Sequence, residues 1–395
     1  MAFWGNFGTR NLGNEVTVSA AVEAVRRRRP AARLELVCTA PADAGPRHGL
    51  PASSLRSWST APSPPASLPL RLLRRAAREW QEWGSALRKT RELDTLVMTG
   101  TGMLTDVGEG PLGLPADLFR WALAARVGGC RVVFLSVGVE PLRHPLTRAL
   151  VRGALALAAH RSYRDRQSRD RLVSAGIPVS GDPLAPDLAF SLPPVRTEAT
   201  SPGAVRTVGV GLYDYRSRGV AGGEDARAYR RYLEQMAELV ERLVARGDRV
   251  RVLIGDNTYD EPVLADFRAL LAARGRVPAG RVEDTPAESF ESLLGQLSRV
   301  DLVVASRFHN VLLALMLGRP VVSLSYNEKN EALMEAAGLA GHSRPLEALE
   351  VDWVLERLAS LDVRRGALRA SLLDAADRWR AELETQYDRV FGPAP

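Results

Sequence analysis

Short apolar runs alternate with longer amphipathic stretches along almost the whole chain, and no other property limits its fold so tightly. Residues 34–38, 95–99, 131–137, 207–212, 249–255, 301–305 and 320–325 form runs dominated by apolar and small side chains, the pattern of strands covered on both faces. Between them, 16–28, 114–126, 225–245 and 287–297 repeat apolar residues at helical spacing. Strand and helix in alternation predict an α/β chain of Rossmann-like parallel sheets with helices on both faces.

At 395 residues the chain exceeds what one compact core accommodates, so two domains are expected. The Pro-rich stretch 193–202 separates two strand-helix series, which places one domain at 1–194 and a second at 195–345. Residues 346–395 read as mostly helical, and a terminal helix of this kind can pack back on the first domain. A second Pro- and Ser-rich stretch, 51–69, interrupts the first half. The apolar share is 46%, the charged share 25%, and there is no run of about 18 apolar residues, which argues against a membrane-spanning chain. Residues 1–15 are rich in Gly and Asn where a secretory signal would carry basic and then apolar residues, so a cytoplasmic protein is expected. Cys38 and Cys130 give neither a metal spacing nor a disulfide framework and read as buried, reduced thiols.

The net charge of +7 favours anionic partners. Among 53 basic residues only Lys89 and Lys329 are lysines, as expected where a GC-rich genome drives basic codons toward Arg. A lysine kept under that pressure points to a need for a compact, rotatable charge that a planar guanidinium does not supply. Lys89 falls in a basic helix that reads as solvated, whereas Lys329 falls in a motif.

Three constellations could carry chemistry. Gly5-Asn6-Phe7-Gly8-Thr9-Arg10-Asn11-Leu12-Gly13-Asn14-Glu15 leads into a helix, and its small residues let backbone N–H groups approach an anion or hydroxyls. The plainer reading is a helix start capped by Asn11 or Asn14. No strand of four or more apolar residues is legible before it, so it is not a dinucleotide fingerprint. Gly100-Thr101-Gly102-Met103-Leu104-Thr105-Asp106 follows strand 95–99, and Asp106 at such a strand end either orients a sugar hydroxyl or makes a local turn bond. The third constellation runs from strand 301–305 through Ser306-Arg307-Phe308-His309-Asn310 and an apolar helix to strand 320–325 and Tyr326-Asn327-Glu328-Lys329. Adjacent strand ends place Arg307, His309 and Lys329 in one crevice, where Arg grips a carboxylate or phosphate, Lys adds a point charge and His exchanges a proton. His309 as a satisfied capping residue is the alternative.

Arg143, Arg148, Arg164 and Arg216 follow other strand ends. Each alone reads as a surface arginine, but together they suggest a site able to neutralise about three negative charges. Residues 68–93 carry seven basic residues on a helix with Leu70, Leu72, Leu73, Trp80, Trp83 and Leu87. That helix either touches an anionic membrane or a lipid-linked substrate, or turns its Leu and Trp toward the core.

In order and spacing these motifs resemble the polysaccharide pyruvyl transferase family over nearly the whole chain. Asn11 to Glu15 is similar to its N-x-G-D-E turn, Gly100 to Asp106 to G-G-G-x-x-x-D, and Arg164, Asp165 and Ser168 to R-D-x-x-S. Asp187-Leu188-Ala189-Phe190 resembles D-x-A-F, Arg307-Phe308-His309 resembles R-x-H and Tyr326 to Lys329 resembles Y-x-x-K, the last two being the most specific. The resemblance implies a glycosyltransferase-B-like arrangement of two Rossmann-like domains with an interdomain cleft. It also implies that Arg148, Arg216, Arg307, His309 and Lys329 bind phosphoenolpyruvate, and that Asn11, Glu15 and Asp106 face an acceptor sugar, lipid-linked or nucleotide-linked. His309 is then the general acid and Asp106 a base in forming a cyclic pyruvate ketal, with no cofactor and no metal. Asn14 and Thr101 depart from the family pattern, both on the acceptor side.

Two other readings are compatible with these residues: a nucleotide-sugar glycosyltransferase of the same architecture, and a non-catalytic relative that binds an anionic ligand. Nucleic-acid binding is not expected, because the arginines are dispersed among acids without an aromatic platform. A homo-oligomer is compatible with the sequence, which does not set its state.

Overall fold

Parallel strands, the central ones buried on both faces, build two six-stranded sheets. The computed structural model describes residues 1–56, 68–106, 110–195, 205–215 and 223–392. The chain divides into two units, one of Met1–Thr9, Thr17–Ser191 and Glu382–Pro395, the other of Arg10–Val16 and Leu192–Ala381.

In the first unit, β1 (Ala2–Gly5), β2 (Glu35–Cys38), β3 (Ala52–Ser54), β4 (Thr95–Thr99), β5 (Arg131–Val137) and β6 (His160–Tyr163) pair in the order β3-β2-β1-β4-β5-β6. All pairs are parallel, which is the Rossmann order. The connecting helices are α1 (Leu12–Arg28), α2 (Pro41–His48), α3 (Leu68–Thr90), α4 (Leu114–Val127), α5 (Pro145–Ala156) and α6 (Arg166–Ser174). β1 is not legible in the sequence. It is only four residues long, yet it pairs with both β2 and β4, and Ala2, Phe3 and Trp4 have no exposed surface. The core of this unit includes Trp4, Met98, Phe134, Trp121 and Tyr163.

The second unit repeats the topology. β7 (Thr207–Gly211), β8 (Arg249–Leu253), β9 (Val282–Glu283), β10 (Leu302–Ala305), β11 (Val321–Ser325) and β12 (Ser343–Pro345) pair in the order β12-β11-β10-β7-β8-β9. Its helices are α7 (Gly223–Ala245), α8 (Asp260–Arg274), α9 (Phe290–Ser298), α10 (Phe308–Met316), α11 (Glu328–Ala336), α12 (Val351–Val363) and α13 (Arg365–Phe391). The short α10 is apolar nearly all round, and every residue in it except His309 is buried, as befits a helix enclosed by its unit.

The units do not follow the expected domain limits. Residues 10–16, expected in the first domain, belong to the second unit, whereas the last turns of α13, from Glu382, belong to the first, the placement of a terminal helix that packs back. There Tyr387 is fully buried with its hydroxyl 3.0 Å from Ser191 Oγ, and Arg28 pairs with Asp388 at 2.7 Å. Lys89 also differs from the solvated residue expected: its Nζ is 2.8 Å from Glu35 on β2. Cys38 and Cys130 are buried and not disulfide-bonded, and burial pushes the Cys130 thiol up to about 11, away from the reactive thiolate. Among the described residues no helix is long and apolar enough to cross a membrane.

Two histidines outside the candidate site couple stability to pH. Burial lowers the pKa of His160, and Arg131 adds to the shift; burial and Arg357 do the same to His342. An unfolded histidine takes its proton near pH 6.5, whereas these native rings stay neutral to lower pH, so stability falls as pH drops through about 6.5. The combined variant His160→Gln, His342→Gln is expected to show a shallower fall of thermal midpoint between pH 7 and 5.5 than the parent. Equal slopes would exclude these rings as the source.

Candidate functional site

In the second unit the carboxyl ends of β7, β8, β10 and β11 gather the charged residues. Arg307 is the N-cap residue of α10, in extended conformation, which turns its side chain toward the loop after β8. Its Nε and Nη2 donate to the two carboxylate oxygens of Asp260, at 2.9 and 2.6 Å. Asp260 has no exposed surface and also accepts the Asp214 N–H at 3.0 Å. A second carboxylate, Asp256, lies 3.8 Å from Arg307 Nη1. Burial opposes the Arg307 charge, but Asp260 outweighs it and holds the guanidinium pKa above its ordinary value. Burial pushes the Asp256 carboxyl up, Asp260 adds to this and Arg307 opposes it.

An aromatic layer links Arg307 to Lys329. The guanidinium sits 4.7 Å from the Tyr213 ring centroid, Tyr213 stacks on Tyr326 at 4.5 Å and 16°, and Lys329 Nζ is 5.5 Å from the Tyr326 ring. Lys329 is also 5.7 Å from the Phe308 ring. Such contacts are worth about 0.5–2 kcal/mol each and keep a cation beside a surface that water hydrates poorly. Asn327 caps α11 by accepting the Lys329 N–H at 3.3 Å, which fixes the backbone from which the lysine extends.

The glycine-rich turn joins this same group. Asn11 Oδ1 accepts the N–H groups of Gly13 and Asn14 and caps α1, while its Nδ2 donates to Asp256 at 2.7 Å. The turn is further held by Leu12 N–H to Gly255 O and Asn257 N–H to Arg10 O. Arg10 adopts φ 61°, a left-handed conformation uncommon for a residue with a side chain, and pairs with Glu261 at 2.7 Å. A Cβ on Gly13 would fall 2.0 Å from His309 Nδ1, so the imidazole packs directly on the glycine backbone. His309 and Lys329 are half-buried. Asn11 therefore does two jobs, capping a helix and tying the turn to Asp256. Glu15, expected to face a sugar, is wholly buried.

Asp106, and Arg148 from α5, each bond to the same loop of the first unit. Asp106 Oδ2 accepts the N–H groups of Arg143 and His144 at 2.9 and 2.8 Å, and Arg148 donates to Leu142 O at 2.9 Å and to Arg143 O at 3.4 Å. Both residues thus hold the 142–144 segment that starts α5. Arg164 is not the available cation expected: it is buried between Asp165 at 3.2 Å and Asp187 at 3.5 Å. Asp165 caps α6 through Ser168 N–H, and Ser168 Oγ accepts the Val139 N–H, so this motif organises the strand end. Arg216 lies outside the described residues. Asp256, Asp260 and Tyr213 were not singled out in the sequence; the one available signal was that each follows a buried strand closely.

Two parallel sheets in Rossmann order, with polar residues massed at strand carboxyl ends, define an α/β fold of the glycosyltransferase-B class. Solved structures agree. A UDP-N-acetylglucosamine 2-epimerase described as putative, from Listeria monocytogenes, superposes with a TM-score of 0.60 at 14% identity, covering 99% of this chain and 98% of that one. The UDP-GlcNAc 2-epimerase of Neisseria meningitidis, bound to UDP-GlcNAc, gives 0.55 at 12%, with 97% and 99% covered. The lipopolysaccharide outer core galactosyltransferase WaaB gives 0.51 at 11%, with 98% and 99% covered. No protein of curated function matches the sequence. The family model of polysaccharide pyruvyl transferase matches residues 11–328, and the chain belongs to that family.

Proposed function

We propose that the protein transfers the enolpyruvyl unit of phosphoenolpyruvate to two hydroxyls of a sugar, forming a cyclic pyruvate ketal in cell-surface polysaccharide or glycolipid synthesis. The observation that carries this reading is the convergence of Arg307, His309 and Lys329 at neighbouring strand ends of one unit. Asp260 takes the Nε–Nη2 edge of the guanidinium and Asp256 lies 3.8 Å from Nη1, so the hydrogen-bonding capacity remaining at Nη1 is what would meet a phosphate or carboxylate, and Lys329 supplies the second positive charge. Family membership supports the pyruvyl chemistry.

In the proposed reaction the His309 imidazolium gives its proton to the methylene carbon of the donor, leaving the phosphate-bearing carbon electron-poor. A sugar hydroxyl oxygen bonds to that carbon and loses its proton. The carbon–oxygen bond to phosphate breaks, the electron pair leaves with phosphate, and Arg307 and Lys329 hold the resulting charge. A second hydroxyl then bonds to the same carbon and loses its proton, closing the ketal. The resemblance assigns the hydroxyl protons to Asp106, whose Oδ2 is already engaged by two N–H groups.

His309→Gln and Lys329→Ala are expected to lower phosphate release from phosphoenolpyruvate by about 10²–10⁴-fold, the usual weight of a general acid or charge anchor, with little change in thermal midpoint. Turnover near the parent rate in either variant would remove that residue from the mechanism. Calorimetric titration with phosphoenolpyruvate and with UDP-sugars separates this reading from a glycosyltransferase.

A further inference from the structure

Helix α3 turns a tryptophan to water. Of the apolar residues on 68–93, Ala86 and Leu93 are buried, so the helix already has its inward face, and on the Trp80 side Leu87, two turns on, is the residue that packs on the core. Trp80 nevertheless is 83% exposed and Leu73 67% exposed. With Ala76 and Ala77, also exposed, they lie three, four and seven residues apart and share one side of the helix. One turn further along the same side, a recess of about 390 Å³ is lined by Trp80, Gln81, Gly84 and Arg88. Arg88 and Arg91 are exposed at this end, and the exposed Glu79 is engaged by Arg120 at 3.0 Å.

We propose that this face of α3 docks on an anionic phospholipid bilayer. Trp80 and Leu73 enter the boundary between headgroups and acyl chains, where an amphipathic indole is best accommodated, and Arg88 and Arg91 meet lipid phosphates at the recess. The chemistry of the face singles out a bilayer: one large aromatic, small residues around it and a cationic rim complement a fluid anionic surface, and the net charge of +7 favours approach to it. The inference rests on α3 alone and not on the proposed reaction.

Flotation of the full chain with phosphatidylglycerol/phosphatidylcholine vesicles and with pure phosphatidylcholine vesicles tests it. The protein should float with the anionic vesicles only and be released by added salt. Trp80→Glu should abolish flotation, and Arg88→Gln should weaken binding about fivefold, the effect of one basic residue at an anionic surface. Both variants should keep the parent thermal midpoint and the parent phosphate release with a soluble acceptor. No binding of the parent to anionic vesicles, or flotation of Trp80→Glu at the parent level, overturns the proposal. Sedimentation velocity identifies the competing occupant: a parent dimer that Trp80→Glu converts to monomer, without lipid binding, assigns the face to a second copy of the chain instead.

Discussion

Arg307→Ala is expected both to lower the thermal midpoint and to abolish phosphate release from phosphoenolpyruvate, and the two losses have separate causes. The stability loss comes from Asp260, which has no exposed surface and takes two hydrogen bonds from the guanidinium. Removing one partner of a buried ion pair strands the other, at a cost of about 3–5 kcal/mol. For a unit of this size that corresponds to a fall of roughly 6–20 °C. The functional loss comes from the charge and the Nη1 side, which no neighbour replaces. Adding Asp260→Asn to Arg307→Ala removes the more closely paired of the two stranded carboxylates and leaves Asp256, which Asn11 still meets, so the double variant should regain part of the midpoint while phosphate release stays lost. Arg307→Lys keeps a charge but not the two-pronged geometry and should fall between. A single variant with the parent midpoint would show that the Asp260 pair does not stabilise the fold. Recovery of turnover in the double variant would reduce Arg307 to a structural role.

Gly13→Ala should have the opposite profile, a large loss of turnover with little loss of stability. Gly13 lies in the first turn of α1, where alanine is favoured over glycine by up to about 1 kcal/mol. The added methyl would fall 2.0 Å from His309 Nδ1 and 2.6 Å from its Cε1, so the imidazole must leave its position. A general acid that is displaced by an ångström loses most of its contribution, and a fall of about 10²–10⁴-fold in phosphate release is expected. Because the glycine acts only through the histidine, Gly13→Ala should add nothing further to His309→Gln. Parent-level turnover in Gly13→Ala would mean that the ring position seen here is not the one used, and the general-acid role of His309 would fall with it.

The secondary structure was largely legible because the long strands are buried on both faces and carry the composition of that environment. β4 and β5 coincide with the runs read from the sequence, and β7, β8, β10 and β11 differ only at their ends. The strands that escaped are β1 and the polar or very short β3, β6, β9 and β12. His160-Arg161-Ser162-Tyr163 on β6 has no apolar run to betray it, and its pairing with β5 makes it a strand. The start of α1 was placed four residues late because Gly13 and Asn14 are poor helix formers, a preference overridden once Asn11 caps the first turn. The lipid-facing reading of α3 needed the structure for the same kind of reason, since periodicity alone does not say which of two apolar sides is covered.

For the site, the sequence by itself determined the residue types: a fork-shaped cation, a proton carrier and a rare lysine, each following a buried strand. Their chemistry is a property of the side chains, and their nearness follows from adjacent parallel strands. Only the tertiary structure decided their partners. Asp260 is 47 residues from Arg307, and Asp256 is 245 from Asn11. These pairs meet because the sheet order sets β7 between β8 and β10 and because residues 10–16 dock beside the end of β8. Strand order and the docking of a loop depend on the summed packing of the whole unit, so no local stretch of sequence encodes them.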